Sequence, residues 1–285
     1  MRIEKLSLSH KKLLYDRFKN TRSFLSEFSF ANLYLFREVH DHQVLMDGDM
    51  ILISGRTYDG RRFVMPTTDI QATDVERLWT AVQEYDFIFP VAEQDLEMFS
   101  GQKFRNEFDE GDSDYVYTIE KLSTYKGRKL HGKKNLLNQF LDLYTPEARP
   151  LTRERMADAV DILETWQVDV GEDKNDTDYY PCREAFDLYD ELVLCGGIYY
   201  VEKEPAGLII GEEIHENMFA LHFAKGKRKF KGLYQYMFNQ FAKILPRQYE
   251  YLNFEQDLGK LALRIAKSSY DPDMILKKYR ICPLK

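Results

Sequence analysis

Three apolar runs, Leu192–Val201, Ala206–Glu213 and Met218–Ala224, succeed one another with only short gaps between them. Runs of this length at this spacing read as an antiparallel meander. The remaining C-terminal pattern constrains the chain further. A helix is expected at about Gly232–Ile244, a strand at Tyr249–Phe254, a helix at Leu258–Ala266 and a strand at about Met274–Arg280. A strand that returns to its sheet through a helix runs parallel to its neighbour. The second half is therefore a meander feeding a parallel crossover, a mixed α+β arrangement. Ahead of it, Thr152 caps a helix whose core face is Met156, Val160, Leu163 and Trp166. A further helix spans Arg183–Glu191.

The first half carries similar elements. Surface helices are expected in Arg2–Asn20, and Phe28–Glu38 starts as a helical turn. The runs Met50–Ser54 and Arg62–Met65 flank Tyr58-Asp59-Gly60 and read as a hairpin. Thr73-Asp74 caps a helix to about Tyr85, and Phe87–Val91 and Tyr115–Ile119 read as strands. Leu130, Leu136, Leu137, Phe140, Leu141 and Tyr144 fall at helical spacing within Lys126–Tyr144. Pro146 and Pro150 then bracket the best linker, TPEARPLT. The 285 residues suit two modest domains, expected at 1–147 and 150–285.

The chain has 40 Lys+Arg against 47 Asp+Glu, a net charge of −7. That average argues against a polyanion partner, but position reverses the inference. Acids gather in the loops 109–114 and 169–178. Lys121–Lys134 holds six cations and no acid, with Lys126, Arg128, Lys129, Lys133 and Lys134 as candidate polyanion contacts. The second cluster, Lys225–Lys231, lies between a strand and a helix, where backbone N–H groups and cations together suit phosphate. Lys225, Arg228, Lys229 and Gly232 are the donor-phosphate candidates, with a solvated basic turn as the plain alternative. Three Cys give neither a zinc spacing nor a disulfide framework, and no metal site is expected. No apolar run reaches the ~18 residues of a membrane span, and the N-terminus lacks a secretory apolar region. A cytoplasmic protein is expected.

Polar groups concentrate in Tyr251–Pro272. Asn253, Glu255 and Asp257 alternate, and Arg264 and Lys267 are three apart on a helix. A cation beside carboxylates can polarise a carbonyl or orient an amine. The bland reading is an Asp257–Arg264 ion pair. His222 sits in MFALHFA, expected on one face with Ala220 and Ala224, as a catalytic ring or a satisfied core histidine.

At these residues the chain resembles the catalytic domain of the phosphatidylglycerol lysyltransferase family, and more closely its free-standing bacterial relatives. Tyr115–Phe140, Leu221–Tyr236 and Tyr251–Tyr279 carry the resemblance. It implies two tandem GNAT-like domains of the acyl-CoA N-acyltransferase type, with mixed central sheets flanked by helices, as in Fem-type transferases. The element order of the second half matches that fold. Where the lipid synthases have Asp-x-x-Arg, this chain has His222-Phe223-Ala224-Lys225. Their Lys-x-x-Tyr/Phe-x-Pro pattern is kept as Lys267–Pro272. Their transmembrane portion is not expected here.

The resemblance implies aminoacyl transfer with aminoacyl-tRNA as donor, a small-molecule or lipid-headgroup acceptor, and no required cofactor. His222, Lys267, Arg264, Glu255 and Asp257 are the catalytic candidates. An acyl-CoA enzyme is the alternative, although the turn Arg228–Tyr234 keeps one glycine where acetyl-CoA enzymes have several. A non-enzymatic binder that kept the fold is the third reading.

Overall fold

The computed structural model describes residues 1–21, 23–101 and 103–284. The chain forms two compact units, each discontinuous in sequence. One comprises Met1–Asp114, Gln256–Arg264 and Ile275–Lys285; the other comprises Tyr115–Glu255 and Ile265–Met274.

Strands of the first unit are β1 (Arg2–Lys5), β2 (Gln43–Asp47), β3 (Met50–Arg56), β4 (Arg62–Pro66), β5 (Phe87–Ala92) and β6 (Phe104–Phe108). Strands β7 (Asp114–Thr118), β8 (Pro146–Pro150), β9 (Cys195–Val201), β10 (Glu204–His215), β11 (Met218–Gly226), β12 (Tyr251–Asn253) and β13 (Met274–Leu276) build the second sheet. The last strand, β14 (Lys278–Pro283), returns to the first. The sheet orders are β1-β2-β3-β4-β5-β14-β6 and β13-β7-β12-β11-β10-β9-β8.

The expected hairpin is present, with Ile53 opposite Met65 and Gly55 opposite Phe63. The meander is present as β9-β10-β11, and β12 runs parallel to β11 after a helical crossover. Several expectations change. Pro146–Pro150 is no linker: Ala148 pairs with Tyr199 and Arg149 with Ile198. It is an edge strand, where a proline without an N–H is tolerated. The single strand expected at Met274–Arg280 is two short strands in different sheets, β13 and β14.

Helices α1 (Lys11–Lys19), α2 (Phe30–Leu35), α3 (Arg37–His40) and α4 (Val75–Val82) belong to the first unit. There Leu78, Ala81 and Val82 of α4 are buried with Leu45, Leu52, Val64 and Ile88. Asp74 caps α4, accepting from the N–H groups of Glu76 and Arg77. In the second unit are α5 (Ile119–Thr124), α6 (His131–Leu143), α7 (Met156–Val170), α8 (Tyr179–Asp187) and α9 (Leu233–Ile244). Helix α10 (Leu261–Ser268) comes next. Leu233, Tyr236, Met237 and Phe241 of α9 are buried with Tyr199, Val201, Ala206 and Ile209 of the sheet. Each such side chain contributes about 1.5–3 kcal/mol by leaving water. The helix expected from Lys126 starts only at His131. Tyr125 and Gly127 have φ of 46° and 101°, left-handed values that interrupt a helix.

Candidate active site

Strand β11 is irregular at His222. Ile210 pairs with Phe223, but the next residue, Gly211, pairs with Leu221. His222 is therefore the extra residue of a β-bulge, which re-aims a side chain. The bulge interrupts the strict alternation expected along Met218–Ala224. It also requires Gly211, where a Cβ would lie 1.9 Å from the Ala220 carbonyl oxygen.

The parallel pairing of β11 with β12 ends close by, at Ala220 and Asn253. Beyond it the backbone of Glu255 adopts φ 60°. That left-handed conformation costs a non-glycine residue about 1–2 kcal/mol. Local bonds hold it. Asn253 Oδ1 accepts from Glu255 N at 2.7 Å, and Lys267 Nζ donates to the carbonyls of Phe254 (2.6 Å) and Glu255 (3.1 Å).

The His222 imidazole lies between two carboxylates. Nδ1 is 2.8 Å from Glu255 Oε1 and Nε2 is 3.0 Å from Glu212 Oε1, with the histidine side chain fully enclosed. Burial alone pulls its pKa down. The charge of Glu255, followed by the hydrogen bond to Glu212, overrides this and holds it at about 10. Near neutral pH the ring is an imidazolium donating through both nitrogens. His222 is thus occupied as a donor, and Glu255 is the more accessible carboxylate, with its side chain 16% exposed against 8% for Glu212. Among the described residues, no group of three or more His, Cys, Asp or Glu is placed to hold a metal ion.

Asp257 and Arg264 lie in the first unit. The guanidinium grips Asp257 twice, Nε–Oδ2 at 2.7 Å and Nη2–Oδ1 at 3.1 Å, and reaches Glu110 at 2.7 Å. Asp257, fully buried, also accepts from Gly259 N at 2.8 Å. His222, Glu255 and Lys267 come together in the second unit, whereas Asp257 and Arg264 form their own pair.

The end of β11 and the turn after it are filled with ion pairs. Lys225 Nζ lies 2.5 Å from Asp178 Oδ1 and 3.6 Å from the Trp166 ring centroid. Lys227 pairs with Asp161 at 2.7 Å and Glu204 at 3.0 Å, and Lys229 reaches Glu204 at 2.6 Å. Asp169 accepts from the Arg228 backbone N–H at 2.8 Å. Gly232, at φ 91°, abuts α6: a Cβ there would lie 2.7 Å from the Leu136 carbonyl and 2.9 Å from Phe140 Cβ.

The other basic cluster divides in two. Lys129 pairs with Asp271 at 2.7 Å, and Lys133 bonds Ser269 Oγ at 2.6 Å with its ammonium 3.9 Å from the Tyr270 ring centroid. Burial lowers the Lys133 pKa. Lys126, Arg128 and Lys134 instead line an open hollow and are exposed.

Two sets of residues escape sequence reading. Glu212 faces His222 only through the β10–β11 register, which no local pattern specifies. In the first unit, Lys278 lies 2.6 Å from Asp114 and 2.8 Å from Glu27. Arg280 holds Asp112 at 2.7 and 3.0 Å and Asp59 at 2.5 Å. Both cations are buried. Burial lowers the Lys278 pKa, but Asp114 and Glu27 raise it more. Glu27 is pushed up to about 7, mainly by burial. The sequence carries Asp112-x-Asp114 and Lys278-x-Arg280 at matching spacing, but the two segments are not paired strands, so nothing local links them.

A meander followed by a parallel strand pairing in each of two sheets, both flanked by helices, gives a tandem GNAT-like fold. A tandem GNAT protein from the clavulanic acid biosynthesis pathway shares it over 99% of this chain and 98% of its own, at TM-score 0.50 and 8% identity. Residues 18–282 match the family model of the phosphatidylglycerol lysyltransferase C-terminal domain, and the chain belongs to that family.

A Bacteroides thetaiotaomicron protein of unknown function is similar over the full length of both chains, at 26% identity and TM-score 0.87. L-PGS from Bacillus licheniformis is similar over 98% of this chain and 92% of its own, at 14% identity and TM-score 0.63. FemX is similar over 100% and 98%, at 9% identity and TM-score 0.58. A Mycoplasmoides gallisepticum protein, MYCGA3080, is 24% identical over 181 residues, 60% of this chain and 56% of that protein. The match thus spans about half the length of that curated relative. Among the described residues, no helix is long and apolar enough to cross a membrane.

Proposed function

We propose that the chain is an aminoacyltransferase that moves an aminoacyl group from aminoacyl-tRNA to an amine or hydroxyl, with Glu255 as proton acceptor. The filled turn after β11 carries this reading. A coenzyme A pyrophosphate at that turn would have to displace Asp161, Asp169, Asp178 and Glu204 from the Lys225–Lys229 segment. It would also have to part Gly232 from α6. An ester donor that carries its phosphates elsewhere meets no such obstacle. Membership of a family described by lysyl transfer supports the same class.

In the proposed step, Glu255 takes a proton from the acceptor as its nitrogen or oxygen attacks the ester carbonyl. The new C–N or C–O bond forms, the bond to the ribose oxygen breaks, and the proton passes from Glu255 to that oxygen. General-base assistance of this kind contributes typically about 10²–10⁴ in rate. His222 fixes the carboxylate of Glu255, while Lys267 fixes its backbone. Asp257 and Arg264 shape the 257–264 segment.

The test is mass-spectrometric transfer from charged tRNA to an amine panel and, separately, to phosphatidylglycerol vesicles. Glu255→Gln is expected to lose about 10²–10⁴ in rate. Wild-type activity in Glu255→Gln refutes the assignment. A thermal stabilisation by acetyl-CoA of about 2.7 kcal/mol at a hundredfold excess over Kd would favour the acyl-CoA enzyme instead.

A further inference from the structure

The cations of the α5–α6 region do two different jobs. Lys121 donates to the Asp271 carbonyl and pairs with Asp273 at 2.7 Å, while Lys129 pairs with Asp271. Together with Lys133 on Ser269 and Tyr270, these residues tie down the segment just after Lys267. Lys121 and Lys133 are partly buried in these contacts, and Lys129, although its side chain is 77% exposed, faces Asp271.

The remaining cations face outward. Lys126, Arg128, His131 and Lys134 line a hollow of about 420 Å³ with Gly127 and Tyr125. Among the described residues, Arg128 and Lys134 have no ion-pair partner, and Lys126 has only a 3.9 Å approach to Glu120 with both side chains highly exposed. Exposed pairs of that kind are worth little. A hollow rimmed by uncompensated positive charge, on a chain whose net charge is −7, is a local exception built into one short segment.

We infer that the Lys126–Arg128–His131–Lys134 hollow grips the phosphodiester backbone of a single-stranded RNA end. This rests on the aminoacyl-tRNA reading above and deepens it by locating where the donor's polynucleotide docks. The shape favours RNA over a lipid surface. A membrane-binding face offers aliphatic side chains to the acyl boundary. This hollow is concave, and its exposed lining is Lys, Arg, His and Gly. Lys126 and Lys134 suit phosphates as point charges, and the planar Arg128 and His131 groups suit unstacked bases.

The experiment is fluorescence anisotropy with an uncharged RNA hairpin ending in a single-stranded ACCA, titrated at several salt concentrations. Lys126→Ala/Arg128→Ala/Lys134→Ala is expected to weaken binding by at least about tenfold and to flatten the log–log salt slope by about 2. Arg128→Glu alone is expected to weaken it in the same sense. All three positions are exposed, and an unchanged melting temperature verifies the fold. Wild-type affinity in both variants, or no RNA binding by the wild-type chain, overturns the proposal. So does loss of phosphatidylglycerol-vesicle binding in the variants without loss of RNA binding. The two readings fail separately. Transfer by the wild type with unaltered RNA affinity in the variants refutes the docking site alone. RNA binding through the hollow with no transfer to any acceptor refutes the aminoacyltransferase alone.

Discussion

Glu255 Oε1 sits 2.8 Å from His222 Nδ1, just beyond the last paired residues of β11 and β12. The bulge supplies the histidine and the left-handed turn supplies the glutamate, so two local irregularities create one contact. With Glu212 on the far side of the ring, one buried cation serves two carboxylates.

That arrangement fixes the sign of a pH effect. The folded-state pKa of His222 is raised from 6.5 to about 10. A raised pKa gives stability that is fully present below about 6.5 and is lost as pH rises through about 10. Unfolding free energy is therefore expected to fall across that window in the wild type. His222→Asn should flatten this dependence and cost about 3–5 kcal/mol near neutral pH, because two buried carboxylates then face each other without a cation. ¹⁵N NMR of the ring checks the premise: both nitrogens should stay protonated at pH 8. A neutral ring at that pH contradicts the assignment.

Glu212 and Glu255 should separate in kinetics. Glu255→Gln is expected to remove most of the transfer rate at every pH. Glu212→Gln removes one of the influences that raise the His222 pKa and leaves Glu255 in place. It should retain substantial activity but move the alkaline limb of the kcat–pH profile downward. Equal losses with unshifted profiles would show that Glu212 does not act through the ring.

In the first unit, Lys278 is fully buried between Asp114 and Glu27. Lys278→Met keeps much of the side-chain volume but strips both carboxylates of their cation. A loss of about 3–5 kcal/mol in urea unfolding is expected. Lys278→Met/Asp114→Asn/Glu27→Gln should recover part of it, since fewer buried charges remain uncompensated. No recovery would mean that packing rather than charge sets the cost.

Sequence periodicity reaches as far as these contacts allow. The meander, the crossover and the β3–β4 hairpin are legible because each has its own hydrophobic rhythm and turn chemistry. Pro146–Pro150 misleads because a proline-bracketed segment looks the same as a linker or an edge strand. Which sheet that segment joins is a long-range choice. His222 stands out by polarity among apolar neighbours, and Glu255 and Lys267 fall within the unusually polar stretch Tyr251–Pro272; the structure brings the three together. Glu212 does not, because it meets His222 only through a register containing the bulge. The Lys225–Lys231 run illustrates the opposite limit. Its cations are plain in the sequence, but Asp161, Asp169, Asp178 and Glu204 approach it from distant parts of the chain.

Gly232 gives a last measurement, of how tightly α6 closes on the start of α9. Gly232 and Gly171 both have positive φ, 91° and 75°, with ψ near zero. Around Gly171, the C-cap of α7, nothing would lie within 4 Å of an added Cβ, whereas at Gly232 the Leu136 carbonyl would be 2.7 Å away. Gly171→Ala should therefore cost only the backbone strain, about 1–2 kcal/mol. Gly232→Ala carries that strain and also forces α6 outward, so its loss in chemical unfolding should be clearly larger. Equal losses would mean that α6 yields without resistance. The turn could then open for a pyrophosphate, and the main support for a donor other than acyl-CoA would fall.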